Sequence, residues 1–159
     1  MTETTKQNET RYGFLAVLKI ADLGYCGGLL VLTEFGRPLE FHCTAPVNAN
    51  RAQEILYGQT LESFLMCDQI GVALCEKPKL PLSVIVVEQN ELASLSHQTE
   101  IPIAFVEQSN EDENPTTVRL LGGQSDATEL IDKFAETIPL AEPFERIRRA
   151  IEEAHSVAA

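Results

Sequence analysis

The segment from Leu39 to Thr60, LEFHCTAPVNANRAQEILYGQT, concentrates the side chains of this chain that are best able to do chemistry. It begins with a strand-like alternation and changes to helical spacing after Pro46. Ligands of sheet proteins gather where strands end and helices begin, because unpaired backbone N–H groups point there. The segment is therefore the first candidate for a functional site.

Catalytic groups in this segment are an imidazole, a thiol and a carboxylate, on His42, Cys43 and Glu54. An enzyme with its site between residues 42 and 54 would use Cys43 as a thiol nucleophile or His42 as an acid or base. Strand alternation places Cys43 with Leu39 and Phe41 on the buried face and His42 on the opposite face. The pattern therefore favours a structural role for Cys43 and leaves His42 exposed.

Polar residues that follow the strand or open the helix are the candidates for ligand binding. They are Thr44, Asn48, Asn50 and Arg51. Local structure accounts for the same residues, since Asn50 can cap the helix and Arg51 can pair with Glu54 or Glu40. Both interpretations, binding site and local structure, stay open on the sequence alone.

The cysteines predict thiols and no metal site. Cys26, Cys43, Cys67 and Cys75 form no C-x-x-C pair, whereas structural zinc sites usually take their ligands in close pairs. A thiol nucleophile at Cys26 or Cys43 would need a histidine partner, to be sought at His42, His97 or His155. We expect no cofactor. GYCGGLL precedes a strand instead of opening a helix, and LLGGQSDATEL lacks the lysine of a P-loop and the third glycine of a dinucleotide fingerprint.

Hydrophobic periodicity predicts a single α/β domain, with α+β as the alternative. The order of elements is β-β-β-α-β-(α)-β-β-α-α, which implies a mixed sheet of five to six strands with helices packed on it. Residues 1–12 are expected to form a flexible tail and 13–121 the sheet core, with an acidic loop at 107–115. Residues 122–159 are expected to form helices that pack on this core.

This element order, over roughly residues 13 to 107, resembles that of ribonuclease H-like domains in topology, without a matching motif. Such nucleases hold two divalent metals with acidic residues, and the first of these lies within the first strand. The corresponding run here, FLAVLKI, offers Lys19 and no acid, and Asp22 lies beyond it, although Glu54 and Glu88 provide later carboxylates. The missing acid in the first strand disfavours an active two-metal nuclease and leaves an inactive relative of the fold, used as a scaffold, as one alternative.

The net charge of -12 and the pI of about 4.6 predict a surface that repels phosphate backbones and anionic lipids. We therefore expect no direct nucleic-acid partner and no membrane partner. The opening residues, MTETTKQNETR, lack the pattern of a signal peptide, and the longest apolar runs are too short for a membrane span. The expected location is the cytoplasm.

The sequence favours a non-catalytic cytoplasmic α/β protein that acts through protein contacts, as a homo-oligomer or an accessory subunit. This interpretation rests on the acidic surface, the lack of a complete catalytic set and a final amphipathic helix that needs a partner surface. The alternatives are an enzyme that uses His42 or Cys43 and the inactive ribonuclease H-like scaffold.

Overall fold

The computed structural model describes residues 9–107, 117–121 and 126–158. The strands are β1 (Arg11–Ile20), β2 (Gly24–Thr33), β3 (Pro38–Cys43), β4 (Val84–Val87), β5 (Ile103–Glu107) and β6 (Thr117–Leu121). The helices are α1 (Arg51–Tyr57), α2 (61–75), α3 (Asp126–Ala135) and α4 (Glu142–Ala158), and a 3₁₀ helix, Asn90–His97, lies between β4 and β5.

The strands form one mixed sheet in the order β3-β2-β1-β4-β5-β6. β1, β2 and β3 are an antiparallel meander, β4 and β5 run parallel to β1, and β6 returns antiparallel to β5. The predicted mixed sheet is confirmed, with β1 in the central position that the ribonuclease H-like order requires. β1 begins two residues before the predicted start of the sheet core at residue 13, because Arg11 and Tyr12 belong to this strand and are buried.

Apolar layers cover both faces of the sheet. On one face, α3 and α4 pack through Phe134, Phe144 and Ile147 against β1, β2 and β4. On the other face, α2 and the 3₁₀ helix pack through Ile70 and Leu95. Alternate residues of β1 enter the two layers, which explains why this strand reads as a continuous apolar run.

The glycine pair in GYCGG allows helices to approach β2 closely from both sides. A Cβ atom on Gly27 would lie 2.2 Å from Ile70 Cγ2 of α2, and a Cβ atom on Gly28 would lie 2.8 Å from Ile147 Cγ2 of α4. Gly24, at the start of the strand, has a φ of +119°, which glycine tolerates best. The sequence therefore places glycine where the backbone itself is the packing surface.

The final helix covers its own sheet. Phe144, Ile147 and Ile151 of α4 are buried against β1 and β2. The apolar stripe that was expected to need a partner surface is therefore covered by the sheet of the same domain. α1 differs, since none of its residues is buried and Leu56 is 82% exposed. Within the described parts of the chain, no helix combines the length and apolar character needed to cross a membrane.

Candidate functional site

The carboxyl ends of β1 and β4 meet in the middle of one edge of the sheet. β1 pairs with β2 on one side and with β4 on the other, so the connections diverge here, and open α/β sheets bind ligands at such a switch point. The side chain of Gln89 joins the two strands: its oxygen accepts the Val17 N–H and its amide donates to the Val17 carbonyl, both at 2.8 Å. This pair of bonds fixes the chain immediately after Glu88.

The first strand supplies no carboxylate to this edge. Phe14 lies opposite Val86, and continuing that register by two residues places Ala16 beside Glu88. Ala16 is buried, and Lys19 further along β1 is exposed. In the described ranges no three histidine, cysteine, aspartate or glutamate side chains come together as a metal-binding group. The described residues therefore do not fit the two-metal centre of ribonuclease H-like nucleases.

An open pocket of about 410 Å³ lies at the carboxyl ends of β4 and β5. Its lining residues combine polar groups with an aromatic ring and are Glu88, Asn90, Phe105, Val106 and Glu107. The volume lies within the usual range for sites that bind small molecules or single ligand groups. Carboxylate and amide side chains thus converge on a small cavity at the edge where the fold favours a ligand.

Cations from separate elements flank the same edge. The Arg119 guanidinium of β6 donates to Glu107 at 3.2 Å and lies 5.3 Å from the Phe105 ring centre. Arg148 of α4 acts electrostatically on Glu88. Lys19, at the end of β1, lies 5.8 Å from the ring centre of Tyr25. This edge therefore carries cations beside the carboxylates of Glu88 and Glu107.

Burial raises the pKa of the Glu88 carboxyl, and the Arg148 guanidinium opposes this effect without cancelling it. The neutral form is thus favoured relative to a solvent-exposed glutamate. A neutral carboxyl group can donate one hydrogen bond as well as accept others.

A second polar group lies around Tyr25 at the start of β2. Burial raises the pKa of the Tyr25 phenol, and the carboxylates of Glu62 and Glu91 raise it further. The phenol hydrogen-bonds to Glu62, so the group joins β2 to α2. We assign it a structural role, since its hydrogen bond and charges are accounted for within the protein.

His42 pairs with a strand neighbour. Its Nε2 lies 2.8 Å from a Glu40 oxygen, and the imidazole is half-buried with 24% of the side chain exposed. Glu40 also accepts the backbone N–H groups of Lys79 and Leu80, each at 3.0 Å. The pair therefore ties β3 to the segment that leads into β4. A role for His42 as a catalytic acid or base stays a prediction.

The predicted ligand-binding residues all have local partners. Thr44 Oγ1 accepts the Gly27 N–H at 3.0 Å, and Asn48 Nδ2 donates to the Leu23 carbonyl at 2.6 Å. Asn50 caps α1 in a capping box with Gln53. Arg51 pairs with Glu54 at 3.4 Å, and the pair is exposed. These contacts favour local structure, and ligand binding by the four residues stays a prediction.

Cys43 lies on the surface, which corrects the expectation that it enters the core. The alternation of β3 is present, but β3 is the outermost strand and α4 packs on β1 and β2 instead. Phe41, on the same face as Cys43, is consequently 39% exposed. Alternation in the sequence identifies the residues that share a face, whereas the cover above that face depends on the whole fold.

A thiol and an imidazole meet on the α4 side of the sheet. Cys26 Sγ lies 3.3 Å from Nε2 of His155, which is 129 residues away in sequence. Burial raises the pKa of the Cys26 thiol, and Cys43 adds to this effect. His155 was one of the three histidines considered as partners, and only its distance from Cys26 in the fold distinguishes it from the other two.

The strand order of the sheet matches the topology of ribonuclease H-like domains. No protein-family model matches the chain, and no curated protein matches its sequence. Among solved structures, the catalytic domain of human endonuclease V matches with a TM-score of 0.51 and 13% identity, over 94% of this chain and 85% of that domain.

Two further structures show weaker similarity. Endonuclease V of Ciona intestinalis, in complex with a 23mer DNA containing an inosine followed by a ribo-adenosine, has a TM-score of 0.41 and 15% identity, over 65% of this chain and 48% of its own. Human endonuclease V has a TM-score of 0.39 and 15% identity, over 78% and 54%. This chain spans about half the length of these two proteins.

The similarity shows the fold, and it corrects the function inferred from the sequence. The interpretation as a non-catalytic protein that acts through protein contacts, as an oligomer or an accessory subunit, was wrong, because the fold is shared with the catalytic domain of human endonuclease V. The exclusion of nucleic acid as a direct partner was wrong for the same reason. That exclusion rested on net charge, which averages over the surface and does not describe the charge at one edge.

Proposed function

We propose that this protein binds single-stranded nucleic acid along the carboxyl-end edge of its sheet, with the pocket between β4 and β5 receiving an exposed base. The observation that carries this proposal is the convergence of Glu88, Asn90 and Glu107 on one pocket. The fold shared with the catalytic domain of human endonuclease V supports the same class of ligand.

The pocket has the polar groups that a base edge requires. Carboxylates accept hydrogen bonds from exocyclic amino groups of bases, and an asparagine amide can donate and accept at once. Unpaired bases expose these edges, whereas a duplex hides them. The apolar side of the pocket, at Phe105 and Val106, suits the face of a base.

The phosphate backbone of the bound nucleic acid is expected to follow the flanking cations. Lys19, Arg119 and Arg148 come from β1, β6 and α4 and lie around the carboxyl ends of the central strands. Cations on phosphates provide most of the affinity in binding without sequence preference. The proposed mode therefore combines phosphate contacts at the rim with one base in the pocket.

The proposal assigns binding and no metal-dependent cleavage step. A ribonuclease H-like centre places two divalent cations between acidic residues, and here Ala16 lies beside Glu88. A cytoplasmic location is also proposed. Its support is that all four cysteines are free thiols, as in proteins of reducing compartments.

Fluorescence anisotropy with labelled single-stranded oligonucleotides at low salt tests the proposal. We compare an oligonucleotide that carries bases with one of equal length built from abasic residues. The wild-type protein should bind the base-containing strand more tightly. Asn90→Ala should remove that preference while leaving binding of the abasic strand unchanged, because Asn90 lines the base pocket.

Arg148→Ala should weaken binding of both strands by about threefold to tenfold, because it removes a phosphate contact. The control is Lys133→Ala, which removes an exposed cation of α3 whose partner, Glu34, lies at the opposite edge of the sheet. It should bind both strands as the wild type does. Equal affinities for Arg148→Ala and wild type, or no binding by the wild type at low salt, would overturn the proposal.

A further inference from the structure

The thiols of Cys26 and Cys43 lie on one face of the β2–β3 pair. Cys43 is opposite Gly28, so Cys26 is its diagonal neighbour on β2. Diagonal neighbours in an antiparallel pair lie about 7–8 Å apart at Cα, and their side chains come closer. The two thiols also interact electrostatically, since Cys43 contributes to the raised pKa of Cys26. Their side chains are therefore neighbours in space.

The two thiols differ in access and in surroundings. Cys43 is exposed on the outermost strand, whereas Cys26 is fully buried under α4. The imidazole of His155 contacts Cys26 Sγ at 3.3 Å. An oxidant in solution therefore reaches Cys43 first, while Cys26 has a proton acceptor at its sulfur when the His155 ring is protonated on Nδ1.

We propose that Cys26 and Cys43 form a disulfide in response to peroxide, with Cys43 as the thiol that is oxidised first and Cys26 as the resolving thiol. Peroxide oxidises the Cys43 thiol to a sulfenic acid. The O–O bond of the peroxide breaks, and one water molecule leaves. The Cys26 sulfur then attacks the Cys43 sulfur and transfers its proton to His155. The S–O bond breaks, and the hydroxide leaves as water after taking that proton from His155.

The position of β3 explains how the bond can form. A disulfide needs Cα atoms closer than about 7 Å, so β3 must move slightly toward Cys26. An edge strand has a neighbour on one side only and can make this movement. The resulting bond is strained, and strained bonds are more easily reduced by thiols. The chemistry therefore suits a reversible response.

Oxidation also removes the contact between Cys26 and the last turns of α4. The Cys26 sulfur turns toward β3, and the imidazole of His155 loses its partner. The end of the helix should loosen, while the turns that carry Phe144 and Ile147 stay packed on the sheet.

Peroxide treatment of the full-length protein, followed by peptide mapping without reduction, tests the proposal. The map should contain a pair of peptides linked through Cys26 and Cys43. A thiol titration of the unfolded, oxidised protein should then detect two thiols instead of four. A thiol reductant should restore all four. Hydrogen exchange should increase at the end of α4 in the oxidised protein.

Substitutions separate the roles of the thiols. Cys43→Ser should block the bond, and Cys26→Ala should leave a sulfenic acid at Cys43 that a dimedone-type reagent traps. The double control Cys67→Ser/Cys75→Ser changes the cysteines of α2, on the other face, and should still form the bond. His155→Gln should slow bond formation by about tenfold without changing the first oxidation of Cys43.

Two results would overturn the proposal. One is wild-type protein in which Cys43 is oxidised to sulfinic acid while Cys26 stays a free thiol. The other is a linkage that includes Cys67 or Cys75.

Discussion

Glu88 experiences two opposing influences at the carboxyl end of β4. Burial raises the pKa of its carboxyl group, and the Arg148 guanidinium lowers it, with burial the larger effect. The folded protein therefore holds this proton more tightly than the unfolded chain does. Since the two states bind protons differently, the free energy of unfolding depends on pH through this residue.

Glu88→Gln tests the direction of this dependence. The folded pKa lies above the ordinary value of 4.5, so the stability from Glu88 is present below that value and is lost as the pH rises through the folded pKa. At about pH 8 we expect the variant to be more stable, because a neutral amide avoids the cost of burying a charge. The difference should be only roughly 0.5 kcal/mol, because solvent screens a half-buried charge. The difference should shrink near pH 4. Urea unfolding at both pH values measures it.

The control for this experiment is Glu152→Gln, which changes an exposed glutamate of α4. Its free energy of unfolding should differ from that of the wild type by a small amount at both pH values. A Glu88→Gln protein that is less stable than wild type at about pH 8 would contradict the raised pKa.

Glu40 shows the opposite behaviour on the edge strand. Burial acts to raise the pKa of its carboxyl group, but hydrogen bonds from the Lys79 N–H, the His42 imidazole and the Leu80 N–H outweigh it. The net effect is a lowered pKa. The ionised carboxylate is therefore the form that the folded protein stabilises.

We expect Glu40→Gln to lower the free energy of unfolding by about 1–2 kcal/mol at neutral pH, since the side chain is only 14% exposed and its bonds are charge-assisted. The contribution exists above the ordinary pKa of 4.5 and is lost as the pH falls through the lowered value. The cost of the substitution should therefore diminish under acid conditions. An equal cost across the pH range would show that the shape of the side chain matters and its charge does not.

At the scale of elements, β2 is compressed between helices on both faces. A Cβ atom on Gly27 would lie 2.2 Å from Ile70 Cγ2 and 2.8 Å from Leu74 Cδ1, both on α2. On the other face, a Cβ atom on Gly28 would lie 2.8 Å from Ile147 Cγ2 of α4. Because both helices rest on the backbone of one strand, its glycines set the thickness of the domain at this point.

Gly27→Ala should lower the free energy of unfolding by about 1–3 kcal/mol, because it forces α2 away from the sheet. Ile70→Ala should itself be destabilising through the cavity that it leaves. The double variant should be less destabilised than the sum of the two single variants, because the new methyl group fills space that the isoleucine vacated. Denaturant unfolding of the four proteins gives the coupling. Strict additivity would contradict direct contact between the two positions.

The elements that the sequence predicts well are those with a strong local period. The apolar run of β1 and the heptad-like stripe of α4 depend on neighbours in sequence, and both elements are present in the fold. The π-helical turns at Phe64–Gly71 could not be predicted, because i to i+5 bonding has no simple residue pattern. The exposure of Ile55 and Leu56 on α1 could not be predicted either, because it depends on which elements pack nearby.

The candidate site was harder to predict than the fold. The segment from His42 to Glu54 attracted attention because its polar residues are close in sequence, and each has a local structural partner. The pocket is lined by Glu88 and Glu107, which lie at the ends of β4 and β5. The Cys26–His155 contact joins residues that are 129 positions apart in sequence. Such sites depend on strand order, which a single sequence does not determine residue by residue.

At the scale of the whole molecule, the charge is uneven. The net charge of -12 makes the average surface repel nucleic acid. The carboxyl-end edge nevertheless carries Lys19, Arg119 and Arg148, beside the carboxylates of Glu88 and Glu107. We therefore expect binding that is weak at physiological salt and that depends on a few local cations.

The salt dependence of binding counts those cations. Three phosphate contacts on a single strand predict a slope of about -2 for the logarithm of the association constant against the logarithm of the salt concentration, at about 0.7 per contact. Arg148→Ala should make the slope shallower by about 0.7, whereas Lys133→Ala, at the opposite edge of the sheet, should leave it unchanged. Anisotropy titrations at several salt concentrations measure both values. Each phosphate contact that is lost reduces the number of counterions released on binding. A slope that Arg148→Ala does not alter would therefore show that the oligonucleotide binds elsewhere on the protein.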